Sequence, residues 1–227
     1  MIPRLVRGMG SLKEKTACWL SAASYIAGYE WTDEPECTCP SIIRFGMLAN
    51  DLISTDHLRA KHVGPRIEQV LGTRSDEQLP VRRDMCVRFA KRCAIDAVKF
   101  AGFESIADIL SGESSSAEFR SAGQSVKANS AVEGIVSAYS AYLDYSVASA
   151  VDCAYSVASA VDCAVDANAV VYAANAAGCA ANAANAAASG GRDKFVIDIM
   201  LPFIDELCAV GTPQEIPRVR ELSELSR

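Results

Sequence analysis

Apolar residues recur along this chain at spacings of three and four, the period of a helix with one buried face. The pattern predicts a first helix opening at Leu12 behind the capping-box sequence Ser11-Leu-Lys-Glu14 and ending near Gly28. It carries Cys18, Trp19, Leu20 and Ile26. A polar connector, "EWTDEPECTCP", follows, with Thr32 or Asp33 placed for a side-chain-bonded turn ahead of Pro35. Pro40 suits the first turn of a second helix built on Ile42, Ile43, Phe45, Met47, Leu48, Leu52 and Ile53. Thr55 or Asp56 caps a short third helix; Gly64-Pro65 breaks it, and another runs through Ile67, Val70 and Leu71 to a stop at Gly72. Val81 to Phe100 is strongly amphipathic, with Met85, Phe89, Cys93, Ala97 and Phe100 on one side. Further helices are expected over Ser105–Leu110, from between Ser116 and Val132, and over Arg192–Ala209, where Pro202 predicts a kink or break. Alternating apolar and polar positions are absent, so no strand is predicted.

Between these segments lies an Ala-rich run that ends near Ser189. It opens on "YSVASAVDCA" written twice, Tyr145 to Ala164. Ten residues carry a helical wheel to about 80° short of three turns, so this repeat does not keep one face. A broad arc of Leu143, Val147, Ala150, Ala154, Val157, Val161 and Val165 nevertheless stays apolar. Asp144, Ser149, Asp152, Ser156, Ser159, Asp162 and Asp166 fill the rest. A pentapeptide β-solenoid would instead need a bulky residue at every fifth position. The column Val151, Ser156, Val161, Asp166, Val171, Ala176 puts Ser and Asp on its axis. The run is therefore predicted helical. Asn168, Asn175 and Asn182 recur every seven residues, either at a packed seam or on a solvated side.

The elements add up to an all-α chain: an antiparallel multi-helix bundle with a long Ala-rich helix or helical hairpin. It reads as a single domain over 1–227, with an N-terminal helical part (1–112), the Ala-rich segment (113–190), a C-terminal helix (191–211) and a Pro-punctuated tail (212–227).

Charge narrows the partners. A net charge of −6 argues against nucleic acid. The distribution is uneven: Arg59–Lys99 holds ten Lys/Arg against five Asp/Glu, while Asp144–Arg227 holds eleven Asp/Glu against five Lys/Arg. No secretory signal or membrane span is expected, because acidic residues and Asn interrupt the Ala-rich run. Nine scattered cysteines point to reduced thiols in the cytoplasm.

Candidate chemistry is sparse. Cys37, Cys39, His57 and His62 are residue types that hold zinc. The C-x-C spacing is tight, however, and two histidines five apart diverge by about 140° on a helix. Turn cysteines and surface histidines are the expectation. Cys93 lies among Arg88, Lys91 and Arg92, which would favour a thiolate, but Cys86 and Cys93 are spaced as core residues. Asp152, Asp162 and Asp166 read as a solvated face. The arginines at 82, 83, 88 and 92 offer a phosphate-bearing ligand a cationic helix, or water a charged one. No phosphate loop, metalloprotease or hydrolase motif occurs, and no cofactor is implied.

The stretch "CWLSAASYIAGYEWTDEPECTCP" with the later "LANDLI" resembles the N-terminal part of uncharacterised bacterial and phage helical proteins. Those carry Gly-Glu-x-Trp-(Ser/Thr)-Asp-x-Pro-x-Cys-x-x-Pro and then an Ala-rich region. The pattern falls on Gly28, Trp31, Thr32, Asp33, Pro35, Cys37, Pro40, Asn50 and Asp51, with Tyr29 inserted before Glu30. The likeness covers about the first 75 residues and, loosely, the Ala-rich run. It implies a small helical protein and names no catalytic residue. The functional expectation is a non-enzymatic binding or inhibitory protein, a phage accessory or immunity-type factor, engaging a protein partner or a second copy of itself. The alternative is a binder of a small phosphate-bearing ligand that uses Arg82, Arg88 and Arg92 and a pocket near Trp31. Trp31 is expected to dock on the junction of the flanking helices and close the core, with Asp33 accepting backbone N–H groups in the turn.

Overall fold

The structure, a computed structural model, describes residues 4–111, 114–133, 140–163, 168–216 and 220, with backbone alone over 129–133 and 140–147. The fold is all-α, an antiparallel multi-helix bundle with one small three-stranded sheet. The chain divides into two compact units, Met1–Arg82 with Val196–Arg227, and Arg83–Phe195.

The sheet belongs to the first unit. It joins β1 (Arg4–Leu5), β2 (Gly10–Ser11) and β3 (Thr16–Ala17), with β3 central, parallel to β1 and antiparallel to β2. It replaces the helix start expected at Leu12. Ser11 Oγ does accept the Glu14 N–H, as a capping box requires. Lys15, however, takes a φ of 55°, which reverses the chain and closes a hairpin. Residues 12–15 are all exposed, so a helix there would bury nothing to offset its nucleation. Helix α1 (Trp19–Ile26) begins instead behind Cys18. The Cys18 Sγ accepts the Ser21 N–H at 3.3 Å, and Ser21 Oγ accepts the Cys18 N–H at 3.0 Å.

Helix α2 (Pro40–Leu52) starts at its proline as expected. Helix α3 (Asp56–His62) is capped by Thr55, whose Oγ1 accepts the Leu58 N–H at 3.2 Å. The next segment is not the helix expected through Leu71. A 3-10 turn (Gly64–Arg66) leads into further bonded turns up to Gly72. Gly72 has a φ of 70° and its carbonyl accepts the Gln214 N–H at 2.8 Å; a β-carbon there would strike the Gln214 backbone. The unit closes with a π-helical turn (Val196–Met200) and a final helix (Leu201–Cys208) that holds Pro202 in its first turn. The expected break at Pro202 is this change of winding, since a helix start needs no N–H from the proline. Trp19, Leu20, Ile42, Phe45 and Ile204 are fully buried at the centre. Phe45 meets Phe203 edge-on at 5.0 Å, and the Trp19 indole rests on Gly46.

The second unit takes most of α4 (Leu79–Phe100), then α5 (Glu104–Leu110), α6 (Ser116–Glu133), α7 (Ser140–Asp162), α8 (Asn168–Ala187) and α9 (Gly191–Phe195); the final helix of the first unit is therefore α10. On the predicted apolar side of α4, Phe89, Cys93 and Ala97 are buried, Met85 is half-buried and Phe100 is exposed; Cys86 is buried with Cys93. Helices α6 and α7 are antiparallel: Arg120, near the start of one, pairs with Asp162 at the end of the other. Gly123 lies against Val151 and Ala154. Helices α7 and α8 form the Ala-rich hairpin, and the Cys153 thiol donates to the Ala176 carbonyl at 3.1 Å between them.

Helix α7 takes in the duplicated decapeptide as far as Asp162, and its two copies do turn different sides inward. Ala148 is exposed and Ala158 buried; Ser149 is buried and Ser159 half-buried; Cys153 is buried and Cys163 half-buried. Ser149 thereby departs from the polar arc assigned to it. Leu143, Asp144 and Val147 lie among side chains not described, as do Val165 and Asp166. On α8, Asn168 and Asn175 are exposed and Asn182 half-buried, while Ala173, Ala177, Ala180 and Ala184 are buried. The asparagines mark the outer side.

Candidate functional site

The connector after α1 is a tied loop. Gly28 takes a φ of 78° and turns the chain out of α1. The Tyr29 N–H then donates to Ser24 O at 3.0 Å, and Ser24 Oγ–H donates to Thr32 O at 2.7 Å. Thr32 Oγ1 accepts the Glu34 N–H at 3.1 Å, so Thr32 and not Asp33 makes the turn ahead of Pro35. Further on, Thr38 Oγ1–H donates to Val70 O and the Cys39 N–H to Thr73 Oγ1, fixing the loop's far end.

This loop sets Trp31 beside α1. The two rings Trp31 and Tyr25 stand at 72° with centroids 6.3 Å apart. They wall a cleft of about 320 Å³ lined also by Leu12, Tyr29, Glu30 and Arg220. The Arg220 guanidinium lies 5.0 Å from the Tyr25 ring centroid, and its backbone N–H donates to Ile26 O at 3.2 Å. Trp31 is half-buried. The indole that closes the core is Trp19, at 0% exposure, so the role expected of Trp31 falls to the other tryptophan. Its signal in the sequence was Gly46, a glycine inside a helix with room for a ring.

A second cleft, of about 330 Å³, is lined by Tyr29, Glu36, Cys37, Arg74, Asp76 and Gln214. Arg74 Nη1 donates to Glu36 O at 3.3 Å. Burial pushes the Tyr29 phenol above its ordinary pKa, and the neighbouring Cys37 adds to the rise.

The arginines singled out in the sequence do not converge. Arg82, 1% exposed, donates to the carbonyls of Leu207 at 3.0 Å, Thr73 at 2.6 Å and Val210 at 2.8 Å. It is a structural cation of the first unit, occupied by carbonyls. Arg88 is exposed and pairs with Asp84 at 2.6 Å. Arg92 is exposed; burial raises the pKa of Asp96, and Arg92 and Lys99 offset only part of that rise. Asp33 is half-buried and its charge acts on Cys18. Cys37 and Cys39 are buried, whereas His57 is exposed and His62 half-buried on α3. Among the described residues no three His, Cys, Asp or Glu side chains group to hold a metal, so these four are not brought together. None of the nine cysteines is in a disulfide. Burial pushes Cys93 and Cys153 well above the ordinary thiol range, Cys179 up to about 11 and Cys208 up to about 12. Cys93 is thus a protonated core residue, and the cations beside it do not overcome its desolvation.

No protein-family model, curated protein or solved structure matches this chain. The motif that carries the sequence resemblance nevertheless has a physical reading here. Gly28 and Trp31 line the first cleft and Cys37 the second. Asn50 and Asp51 hold the N-terminal turn: Asn50 Nδ2 donates to Val6 O at 3.0 Å and Asp51 Oδ1 accepts the Gly8 N–H at 2.9 Å. Tyr25, Tyr29 and Arg220 were not singled out. Tyr29 showed only as an insertion in the motif, and nothing near Arg220 in sequence signals an aromatic neighbour at the start of the chain.

Proposed function

We propose that the protein is a non-enzymatic binding protein, an accessory or inhibitory factor that engages a protein partner through the Tyr25–Trp31 cleft. One observation carries this: two perpendicular rings on a tied loop form an open apolar cleft, and Leu12 at its rim is 48% exposed. Aromatic anchors on a rigid frame suit a side chain inserted by a partner. Nine cysteines outside any disulfide support a reducing compartment such as the cytoplasm. Membrane attachment finds no support in the helices, since among the described residues none is long and apolar enough to cross a bilayer. A phosphate-bearing ligand, the second reading, draws on the other cleft, where Arg74 and Ser75 are the suitable donors.

Capture from the cells that make the protein tests the first reading. A stoichiometric partner should be retained by the wild-type chain and lost with Trp31→Ala, while the melting temperature falls by only a few degrees. Retention by Trp31→Ala, or several degrees of stabilisation by nucleotides without any partner, would favour the second cleft.

A further inference from the structure

A cation already lines the cleft. Arg220 stands 5.0 Å over the face of Tyr25, with Trp31 perpendicular to that ring and Tyr29 and Glu30 completing the wall. A ring face is the negative side of its quadrupole, and Tyr25 turns that face to the Arg220 guanidinium. The loop that carries Trp31 has the same sign. Residues 28–43 carry Glu30, Asp33, Glu34 and Glu36 and no Lys or Arg, while Lys13 and Lys15 follow Leu12 in the chain. Glu30, Glu34 and Glu36 are exposed, so their field reaches an approaching ligand.

We infer that this cleft is a cation-recognising aromatic site whose occupant is an arginine side chain on a basic segment of the partner protein, and that Arg220 covers its Tyr25 wall in the free chain. The inference rests on the binding role proposed above and supplies its chemistry. The guanidinium is favoured over other cations because it is the group held here: its carbon lies 5.0 Å from the Tyr25 ring centroid, and the Arg220 N–H bonds Ile26 O. A partner arginine then competes with Arg220, which weakens wild-type binding and discourages weak partners. The acidic loop excludes phosphate from this cleft while favouring a basic peptide.

The test uses the full chain, in wild-type and Arg220→Gln forms, with a short Gly/Ser peptide bearing one arginine and the same peptide bearing citrulline, its uncharged isostere. Binding is read by calorimetry. Arg220→Gln should bind the arginine peptide roughly fivefold more tightly than the wild type does, and roughly fivefold more tightly than it binds citrulline. Trp31→Phe, which keeps a ring but weakens the quadrupole, should reduce that discrimination. Should Arg220→Gln fail to fold, Glu30→Gln at an exposed position carries the test, and discrimination between the two peptides should fall. Equal affinity for arginine and citrulline would overturn the cation-recognising chemistry while leaving a Trp31-dependent partner possible. Loss of all Trp31 dependence in partner capture would overturn the underlying binding role instead. Tetramethylammonium binding as tightly as the arginine peptide would assign the site to quaternary ammonium ligands and overturn the choice of occupant.

Discussion

Several arginines of the basic stretch serve backbone carbonyls. Arg59 Nε donates to Asn50 O at 2.8 Å and its Nη2 to Ile53 O at 2.6 Å, closing the end of α2. Arg66 grips Asp205 through two bonds of 2.7 Å and also bonds His62 O at the end of α3. Arg82 does the same for α10 through Leu207 and Val210. Helix C-termini leave carbonyls unpaired and carry the negative end of the helix dipole, so a buried guanidinium satisfies both at once. The sequence shows the excess of cations but not this use, because the carbonyls of Arg82 lie 125 and 128 residues away along the chain. Arg82 and Arg88 look alike in sequence, yet one is buried and the other exposed. Arg82→Lys retains the charge but presents its donors from one atom, which cannot reach three carbonyls set around a planar fork. The expected loss is about 2–3 kcal/mol, read as a lower urea midpoint. An unchanged midpoint would show that water replaces the guanidinium at no cost.

At the scale of elements, two helical glycines should respond in opposite directions to the same substitution. Glycine inside a helix costs about 1 kcal/mol relative to alanine, so Gly→Ala stabilises wherever a methyl fits. In α6, a β-carbon at Gly123 would sit 3.4 Å from Ala154 Cβ and 3.5 Å from Tyr155, which is ordinary contact. Gly123→Ala should raise the unfolding midpoint, by up to about 1 kcal/mol. In α2, the same carbon at Gly46 would enter the Trp19 ring, which is fully buried and has nowhere to move. Gly46→Ala should destabilise by about 1–3 kcal/mol. A thermal melt of both variants checks the pair, and shifts of the same sign would contradict the Trp19–Gly46 packing. The contrast also shows what the pattern along the chain revealed. Helices α2, α4 and α10 were legible because a proline or a long amphipathic period marked them, and the Ala-rich run was legible as helical because small residues filled one broad arc, with one helix or a hairpin left open. The sheet at Arg4–Ala17 was not. Its strands are two residues each, too short for alternation, and Ser11 makes the local bond that a helix start would also make. The candidate site was half legible for the same reason: Trp31 stood out by composition, whereas Tyr25 and Arg220 meet only through tertiary structure.

For the whole molecule, the thiols set an alkaline limit on stability, and each unit contains its share. In the first unit Cys18 is raised and Cys208 reaches about 12; in the second Cys179 reaches about 11 and Cys93 and Cys153 lie well above the ordinary value of 9.0. Burial is the first cause in every case, because a thiolate loses its hydration there. The unfolded chain releases these protons as pH passes 9.0, while the folded chain keeps them until pH approaches about 11 or 12. Above pH 9 the unfolded state therefore binds fewer protons, and linkage makes stability fall as pH rises. Below pH 9 these groups are protonated in both states and contribute no slope. The denaturant midpoint should be flat from these groups between pH 7 and about 8.5 and should decline from about pH 9 upward. Because Cys179 and Cys208 lie in different units, each single Cys→Ala substitution should remove part of the decline and the double variant more. A double variant that keeps the full wild-type slope between pH 9 and 11 would mean that other groups drive the alkaline loss and that these two thiols ionise as freely in the folded chain as in the unfolded one.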